Sequence, residues 1–388
     1  MKFFEGGLGK LAASVLTKDN PAYVQYYVTA RCNLACEQCN VIYANADQEE
    51  ASLDDAKRIA ENLAKIGTSV CLLTGGEPFV RDDIVEIAEA MIQNGVHPRL
   101  QTNGIATQRQ LENMVRVGAH DISISLDSLI PDMQDTINGG FNKSWDRAIN
   151  TIANVNATFP RKSFASFGCV LAPRNLAHIP AIIKFATEIG WWVSLVPAHT
   201  TPKFEPRSFS TFDPSLRFAP EEYPAVWEVL QTAKKMRDEG YNLYDSDEYL
   251  DDIYRFVTGQ PIQWRRRNDG RCDSPNLYFA IQPNGDMAVC CDYRLPQSIP
   301  TYAPDFPERY RDIQTRAATK AITGRCSGCM YGSFPEITIS SRFLAPMLHR
   351  AKIFLGDGLE RDLKPYTTAQ MTDLTQSLAS EYGLKSAA

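Results

Sequence analysis

The stretch Cys32-Asn33-Leu34-Ala35-Cys36-Glu37-Gln38-Cys39 separates three cysteines by three and then two residues, directly after the strand-like run 24–29. Three thiolates on a tight loop can hold three irons of a cubane 4Fe-4S cluster, leaving the fourth iron for a ligand that is not protein. The rival is structural zinc, which wants a fourth Cys or His close by. None follows Cys39 within the next thirty residues.

Outward from this loop, apolar strands alternate with amphipathic helices, the pattern of a parallel α/β fold. Strands are expected over 24–29, 69–73, 99–102, 121–126, 166–171 and 192–196, with helices near 107–117, 144–155 and 179–189 between the later ones. A helix after Ser52 has its capping partner in Asp55 and buries Ala56, Ile59, Ala60, Leu63 and Ile66 at helical spacing. The next places Ile84, Ile87, Ala88 and Met91 on one stripe and stops at Gly95. Polar residues then collect where strands end, the side of a parallel barrel that forms a common mouth. Gly75, Gly76 and Glu77 follow strand two, Thr102 and Asn103 strand three, and Ser125 and Asp127 strand four. Turn formation alone also explains Thr102-Asn103-Gly104 and Asp127-Ser128.

The chain of 388 residues is 44% hydrophobic, enough for one large domain and a smaller one, and its net charge of −6 gives no reason to expect nucleic acid. Ten cysteines without a signal peptide read as metal ligation in a cytoplasmic protein. No apolar run approaches the roughly 20 residues that span a bilayer. Phe3, Phe4, Leu8, Leu11, Ala12, Val15 and Leu16, with Lys2, Lys10 and Lys18 between, form an amphipathic segment that either packs on the barrel or lies on a membrane surface. The stretch 343–354, with Arg342, Arg350 and Lys352, supports the second reading.

The cysteine spacing, taken with Thr74-Gly75-Gly76-Glu77-Pro78 one strand-helix unit later, resembles the signature of the radical S-adenosylmethionine (radical SAM) superfamily. The resemblance implies a partial (β/α)6 TIM-like barrel over 23–198, with S-adenosylmethionine on the open iron of a cluster held by Cys32, Cys36 and Cys39. Paired glycines permit close backbone approach, and Glu77 is expected to accept hydrogen bonds from the SAM ammonium. Thr102, Asn103, Ser125, Asp127 and Val196 are expected around the rest of the cofactor. Two positions depart from the family pattern. Gln38 stands where an aromatic residue near the adenine is usual, so Tyr43 is a substitute. Ile137-Asn138-Gly139 stands where many relatives carry Ile-Arg-Gly, which moves the carboxylate clamp to Lys143, Arg147 or Arg174.

A second pattern lies downstream. Cys272 precedes a hairpin of strands 277–282 and 286–289, turned at Pro283-Asn284-Gly285. Cys290 closes it, a helical stretch near 308–323 follows, and Cys326-Ser327-Gly328-Cys329 ends the unit. Such spacing can make a zinc ribbon. It also resembles the twitch extension of radical SAM enzymes, whose four cysteines ligate an auxiliary 4Fe-4S cluster, with Cys291 then spare. The organisation expected is an N-terminal segment 1–22, the barrel, a helical insertion 199–270 enclosing substrate, a small α+β auxiliary-cluster domain 271–335 and a helical tail 336–388. Aromatic stripes in the insertion, Tyr223, Trp227, Tyr249, Tyr254 and Phe256, read as core. Arg265-Arg266-Arg267 is either a solvated run or a site for an anion or acidic electron donor.

The function implied is hydrogen abstraction from a small-molecule substrate, with a flavodoxin or ferredoxin as reductant. Oxidation, with the auxiliary cluster taking the second electron, is the leading outcome. Epimerisation using Cys291 or Cys169 as hydrogen donor is the alternative, and peptide maturation and a two-cluster electron carrier are the others.

Overall fold

The computed structural model describes residues 13–36, 38, 39, 47, 49–199, 214–266, 270–326, 328–355, 358 and 360–385. Its strands are β1 (Tyr23–Thr29), β2 (Val70–Gly75), β3 (His97–Thr102), β4 (Ile122–Ser125), β5 (Lys162–Ser163), β6 (Ala165–Leu171), β7 (Trp192–Pro197), β8 (Tyr278–Ile281), β9 (Met287–Ala288) and β10 (Arg361–Asp362). Eight form one sheet in the order β7-β6-β4-β3-β2-β1-β8-β9, parallel throughout except for the final β8–β9 hairpin. The remaining pair, β5 and β10, is antiparallel.

The helices are α1 (Leu53–Lys65), α2 (Ile84–Gln93), α3 (Gln108–Arg116), α4 (Pro131–Ile137), α5 (Ser144–Thr158), α6 (Ile179–Ile189), α7 (Tyr223–Asp238), α8 (Asp247–Val257), α9 (Phe306–Arg311), α10 (Ile313–Arg325), α11 (Ser333–Arg342), α12 (Leu344–Leu355) and α13 (Thr368–Glu381). Helix α1 starts where its sequence says it should, because Ser52 and Asp55 cap each other's backbone amides at 3.1 and 3.3 Å. The stretch 308–323, expected as one helix, is two. Asp312 takes an extended conformation between α9 and α10, and its carboxylate accepts the amides of Gln314 and Thr315 as the cap of α10.

Strand parity sorts the barrel into a dry outer layer and a polar inner face. Val24, Tyr26 and Val28, Leu100, Ile122, Ile124, Phe167, Val193 and Leu195 pack with the helices in one buried core. The alternate positions, Gln25, Arg99, Gln101, Ser125, Gly168, Ser194 and Val196, face inward and stay partly exposed. Strand β8 lies parallel to β1, pairing Tyr278 with Tyr23 and Ala280 with Gln25, so the C-terminal hairpin continues the barrel sheet. The insertion becomes barrel layer rather than appendage, with Val226, Leu230, Ala233 and Met236 of α7 in the main core and Tyr249 Oη donating to the Leu195 carbonyl at 2.9 Å.

Two of the three basic residues of the stretch 342–354 are buried in ion pairs, while Lys352 stays exposed. Arg342 is buried against Asp273 at 3.0 Å and Arg350 against Glu336 at 2.7 Å, leaving exposed Leu344, Met347 and Leu348 without those two arginines beside them in solvent. Leu16 is exposed, while Phe3, Phe4, Leu8, Leu11 and Ala12 lie outside the described residues. Among the described residues no helix is long and apolar enough to cross a membrane.

Glu336 and Arg350 belong to a buried latch between the C-terminal helices and β7. Ser246 donates twice to Glu336, at 2.6 and 3.0 Å, and Asp245 accepts from Ser194 Oγ at 2.9 Å and Leu195 N at 2.7 Å. Burial, with the Glu336 charge adding to it, pushes the Asp245 carboxyl up to about 7. Its unfolded value is about 3.9, so between these limits the folded chain keeps a proton that the unfolded chain has released. Stability is therefore expected to fall as pH rises from about 4 to 7. Urea midpoints measured across that range should drop, and Asp245→Asn should flatten the drop; an unchanged slope in the variant would exclude Asp245 as its source.

Candidate active site

The cysteine loop leaves the C-terminal end of β1 and is held from three sides. From β2, Gly76 N donates to the Thr29 carbonyl and Glu77 N to the Arg31 carbonyl, each at 2.8 Å. A β-carbon on Gly75 or Gly76 would lie 2.4 Å from Thr29 O or 2.1 Å from Arg31 O, so the space the glycines clear is filled by the end of β1. From β3, Asn103 Nδ2 reaches Asn33 Oδ1 at 2.9 Å and Cys32 Sγ at 3.8 Å. From the α4 end, Asn138 Oδ1 lies 3.5 Å from Cys36 Sγ, and Gly139, at φ +85°, has no room for a β-carbon against the Ala35 carbonyl.

Several side chains do something other than the sequence suggested. Glu77 is fully buried and accepts from Thr102 Oγ1 at 2.8 Å, Asn103 N at 2.6 Å and Phe79 N at 3.0 Å. Burial pushes its carboxyl up to about 7. It ties the ends of β2 and β3 and poses Asn103. Asp127 is likewise buried, taking Gln38 Nε2 at 2.8 Å and Val170 N at 2.6 Å, and burial raises it to about 6. Gln38 thus anchors the loop to the end of β4 by hydrogen bonding, where an aromatic ring was the expectation. Asn138 is consumed by Gln134 and Ser144 at 3.2 and 2.9 Å. Ser125 accepts from Gln101 on the inner face at 3.3 Å, and Val196 lies 3.4 Å from where a β-carbon of Gly332 would sit. Lys143 and Arg147 are exposed near the start of α5, Arg174 is partly exposed beyond β6, and Tyr43 lies outside the described residues.

Cys169 is on the outer face of β6, fully buried in the core between sheet and helices, and burial pushes its thiol well up. Parity removes it as a hydrogen donor to anything inside the barrel. Cys71 occupies the same dry layer.

The sequence of residues 26–186 matches the profile of the Radical SAM superfamily. The chain carries a radical SAM domain. It is 29% identical over 173 residues to the AdoMet-dependent heme synthase of Methanosarcina barkeri, covering 44% of this chain and 48% of that one. To the PqqA peptide cyclase of Ruegeria pomeroyi it is 30% identical over 180 residues, 46% and 47% of the two chains. The chain spans about half the length of the curated relatives it matches. In fold it resembles Streptococcus suis SuiB bound to precursor peptide SuiA, with a TM-score of 0.60 at 16% identity over 93% of this chain and 79% of that one.

A radical SAM domain implies S-adenosylmethionine and a 4Fe-4S cluster, and the loop fits them. Burial pushes the Cys32 thiol up to about 11 and Cys36 well above its usual value, so neither is poised as an uncoordinated thiolate, whereas metal ligation deprotonates such groups. Leu34 N already points at Cys32 Sγ from 3.4 Å. Beside it, the solvent-shielded Asn103 Oδ1 and Asn33 Nδ2 make no hydrogen bond among the described residues, which leaves polar capacity for a bound group.

The C-terminal cysteines also meet. Cys272, Cys290, Cys326 and Cys329 line one cavity with Trp264, Tyr278, Tyr293 and Phe334. Asp292 N is 3.4 Å from Cys290 Sγ and Gly328 N is 3.3 Å from Cys326 Sγ. Arg265 turns inward, donating to the carbonyls of Gly270 and Cys326, so it is no solvated charge run; the side chains of Arg266 and Arg267 lie outside the described set. Cys291 does not line that cavity; its Sγ lies 3.3 Å from Gln25 Oε1, within the inner-face cluster of Tyr23, Tyr27 and Ala280.

Gly139→Ala is expected to displace the loop at Ala35, at a local cost of about 1–3 kcal/mol, and to lower bound iron per chain. Iron analysis beside circular dichroism checks this; full iron content in a folded variant would show that the α4 end does not support the loop.

Proposed function

We propose that the chain is a radical SAM enzyme that oxidises a small molecule, with an auxiliary 4Fe-4S cluster held by Cys272, Cys290, Cys326 and Cys329. The observation that carries this reading is the convergence of those four thiols on one cavity, beside a hairpin hydrogen-bonded to β1, the strand that leads into the loop of Cys32, Cys36 and Cys39. When bound, S-adenosylmethionine and its cluster supply a 5'-deoxyadenosyl radical that removes a hydrogen atom from substrate, and the auxiliary cluster supplies an acceptor for the second electron. A substrate carbon bearing a hydroxyl or amine would then lose a proton and become a carbonyl or imine.

The chain's own part is placement and dryness. Gln25, Gln101, Ser125 and Ser194 offer donors and acceptors on the inner face. Tyr23, Tyr27, Tyr278 and Phe334 close it beside the hairpin, with Tyr278 and Phe334 stacked at 4.5 Å. The relatives' names span heme synthesis and peptide cyclisation, so peptide maturation stays a rival for the substrate class.

One observation favours a second reading. Cys291 donates toward Gln25 Oε1 on the inner face at 3.3 Å and is not part of the lining of the four-cysteine cavity. A thiol there can return a hydrogen atom to a substrate radical, which would make the enzyme an epimerase.

Anaerobic incubation with S-adenosylmethionine and dithionite is expected to yield 5'-deoxyadenosine; none at all, with or without substrate, would exclude a radical enzyme in favour of an electron carrier. The double variant Cys272→Ala/Cys326→Ala should lose about four irons, whereas loss of zinc would overturn the auxiliary cluster. Oxidation predicts a product two mass units lighter with Cys291→Ala still active. Epimerisation predicts one solvent deuterium in the product, abolished by Cys291→Ala.

A further inference from the structure

Arg99 is the cation of the barrel interior. It lies on β3 between the core residues Pro98 and Leu100, so its side chain leaves the opposite, inner face. Nη2 donates to Ser166 Oγ at 2.8 Å, and the guanidinium carbon sits 4.4 Å from the centre of the Phe164 ring. These contacts fix the plane of the group but leave its charge unmatched. Among the described residues no carboxylate lies within ion-pair distance, and the solvent-shielded Nε makes no hydrogen bond. The acid beside this end of β3, Asp121, is engaged by His97 at 2.5 Å. The charge is felt at Tyr23: burial raises that phenol to about 12 even with Arg99 pulling it down.

Two residues along β6 from Ser166, at the next inner-face position, the strand carries no side chain. Gly168, on the inner face of β6, has no left-handed φ to require a glycine, and a β-carbon there would meet Ser123 Oγ and Gln101 at 3.6 to 3.9 Å, ordinary contact. Neither backbone nor packing demands its bareness; it opens the interior between Gln101, Ser123 and Ser125.

We propose that Arg99 binds an anionic group of the substrate, a carboxylate or a phosphate, in the pocket that Gly168 leaves open. The proposal rests on reading the barrel interior as the substrate chamber. Arg99 is three residues before Thr102 at the strand end, so its Cα is about 10 Å below the mouth at the rise of a β-strand. The substrate would enter anion first, with its reacting carbon toward the cysteine loop. A planar guanidinium already held by Ser166 and Phe164 suits an oxyanion, to which a charge-assisted hydrogen bond is stronger than a neutral one.

The test needs neither reductant nor turnover, so it stands apart from the radical chemistry. The purified full chain is titrated with inorganic phosphate and separately with acetate, following 31P or 13C line broadening. Saturable binding of at least one anion is expected, weakened about tenfold or more in Arg99→Gln, largely kept in Arg99→Lys and blocked in Gly168→Val, with folding checked by circular dichroism. The preferred anion tells phosphate from carboxylate. No saturable binding to the unaltered chain, or equal binding by Arg99→Gln, would overturn the proposal. So would a loss in Arg99→Gln of affinity for S-adenosylmethionine with anion binding intact, which would make Arg99 a clamp for the cofactor's carboxylate instead.

Discussion

Where β1 ends, the carbonyls of Thr29 and Arg31 press against Gly75 and Gly76 so closely that a β-carbon on either glycine would overlap them. The rest of the site follows from that contact. It lets the end of β2 hydrogen-bond to the start of the cysteine loop, which brings Glu77 under the sheet and allows its carboxylate to gather Thr102 and Asn103. Asn103 then reaches Cys32, and Asp127 holds Gln38 from the far side. The loop is thus positioned by a chain of buried polar contacts, and such networks favour one geometry; among the described residues Asn103 Oδ1 and Asn33 Nδ2 are the members left for a bound group.

Two kinds of interior meet in the barrel. Its outer layer is dry and close-packed, with aromatic stacks such as Phe167 on Phe185 and Trp191, and it tolerates little change of volume. Its inner face carries, beside aromatic residues such as Tyr23 and Tyr27, the polar side chains of Gln25, Gln101, Ser125 and Ser194 and the guanidinium of Arg99. Polar groups facing inward lower the stability a core of that size would otherwise have. A chain keeps them where a bound molecule needs partners.

Much of this was legible in the residues, for physical reasons that also mark where legibility stopped. The barrel strands lie within about two residues of their apolar runs because each sits between a helix stripe and a turn, and the Ser52–Asp55 box fixes where α1 begins. Cysteine spacing and Gly285 pointed to Cys290 over Cys291, and it is Cys290 that lines the cavity with Cys272, Cys326 and Cys329. What escaped depended on contacts distant in sequence. A hairpin does not announce which sheet edge it will join, so the pairing of β8 with β1 was invisible. The protein donors that Glu77 and Asp127 gather, Thr102, Asn103, Gln38 and Val170, were likewise not readable from the sequence. Cys169 needed strand parity, which was available in Phe167, Cys169 and Leu171 alternating with polar or small residues. The same parity would have picked out Arg99 between Pro98 and Leu100.

The union of β8 with β1 also bears on how the protein can be cut or recombined. A hairpin hydrogen-bonded into the barrel is not a module on a tether: take it away and β1 becomes a bare edge, its amides and carbonyls open to any passing strand. The two cysteine-bearing regions are therefore bound to a common fate in folding, and neither is expected to be inherited, exchanged or expressed soundly without the other.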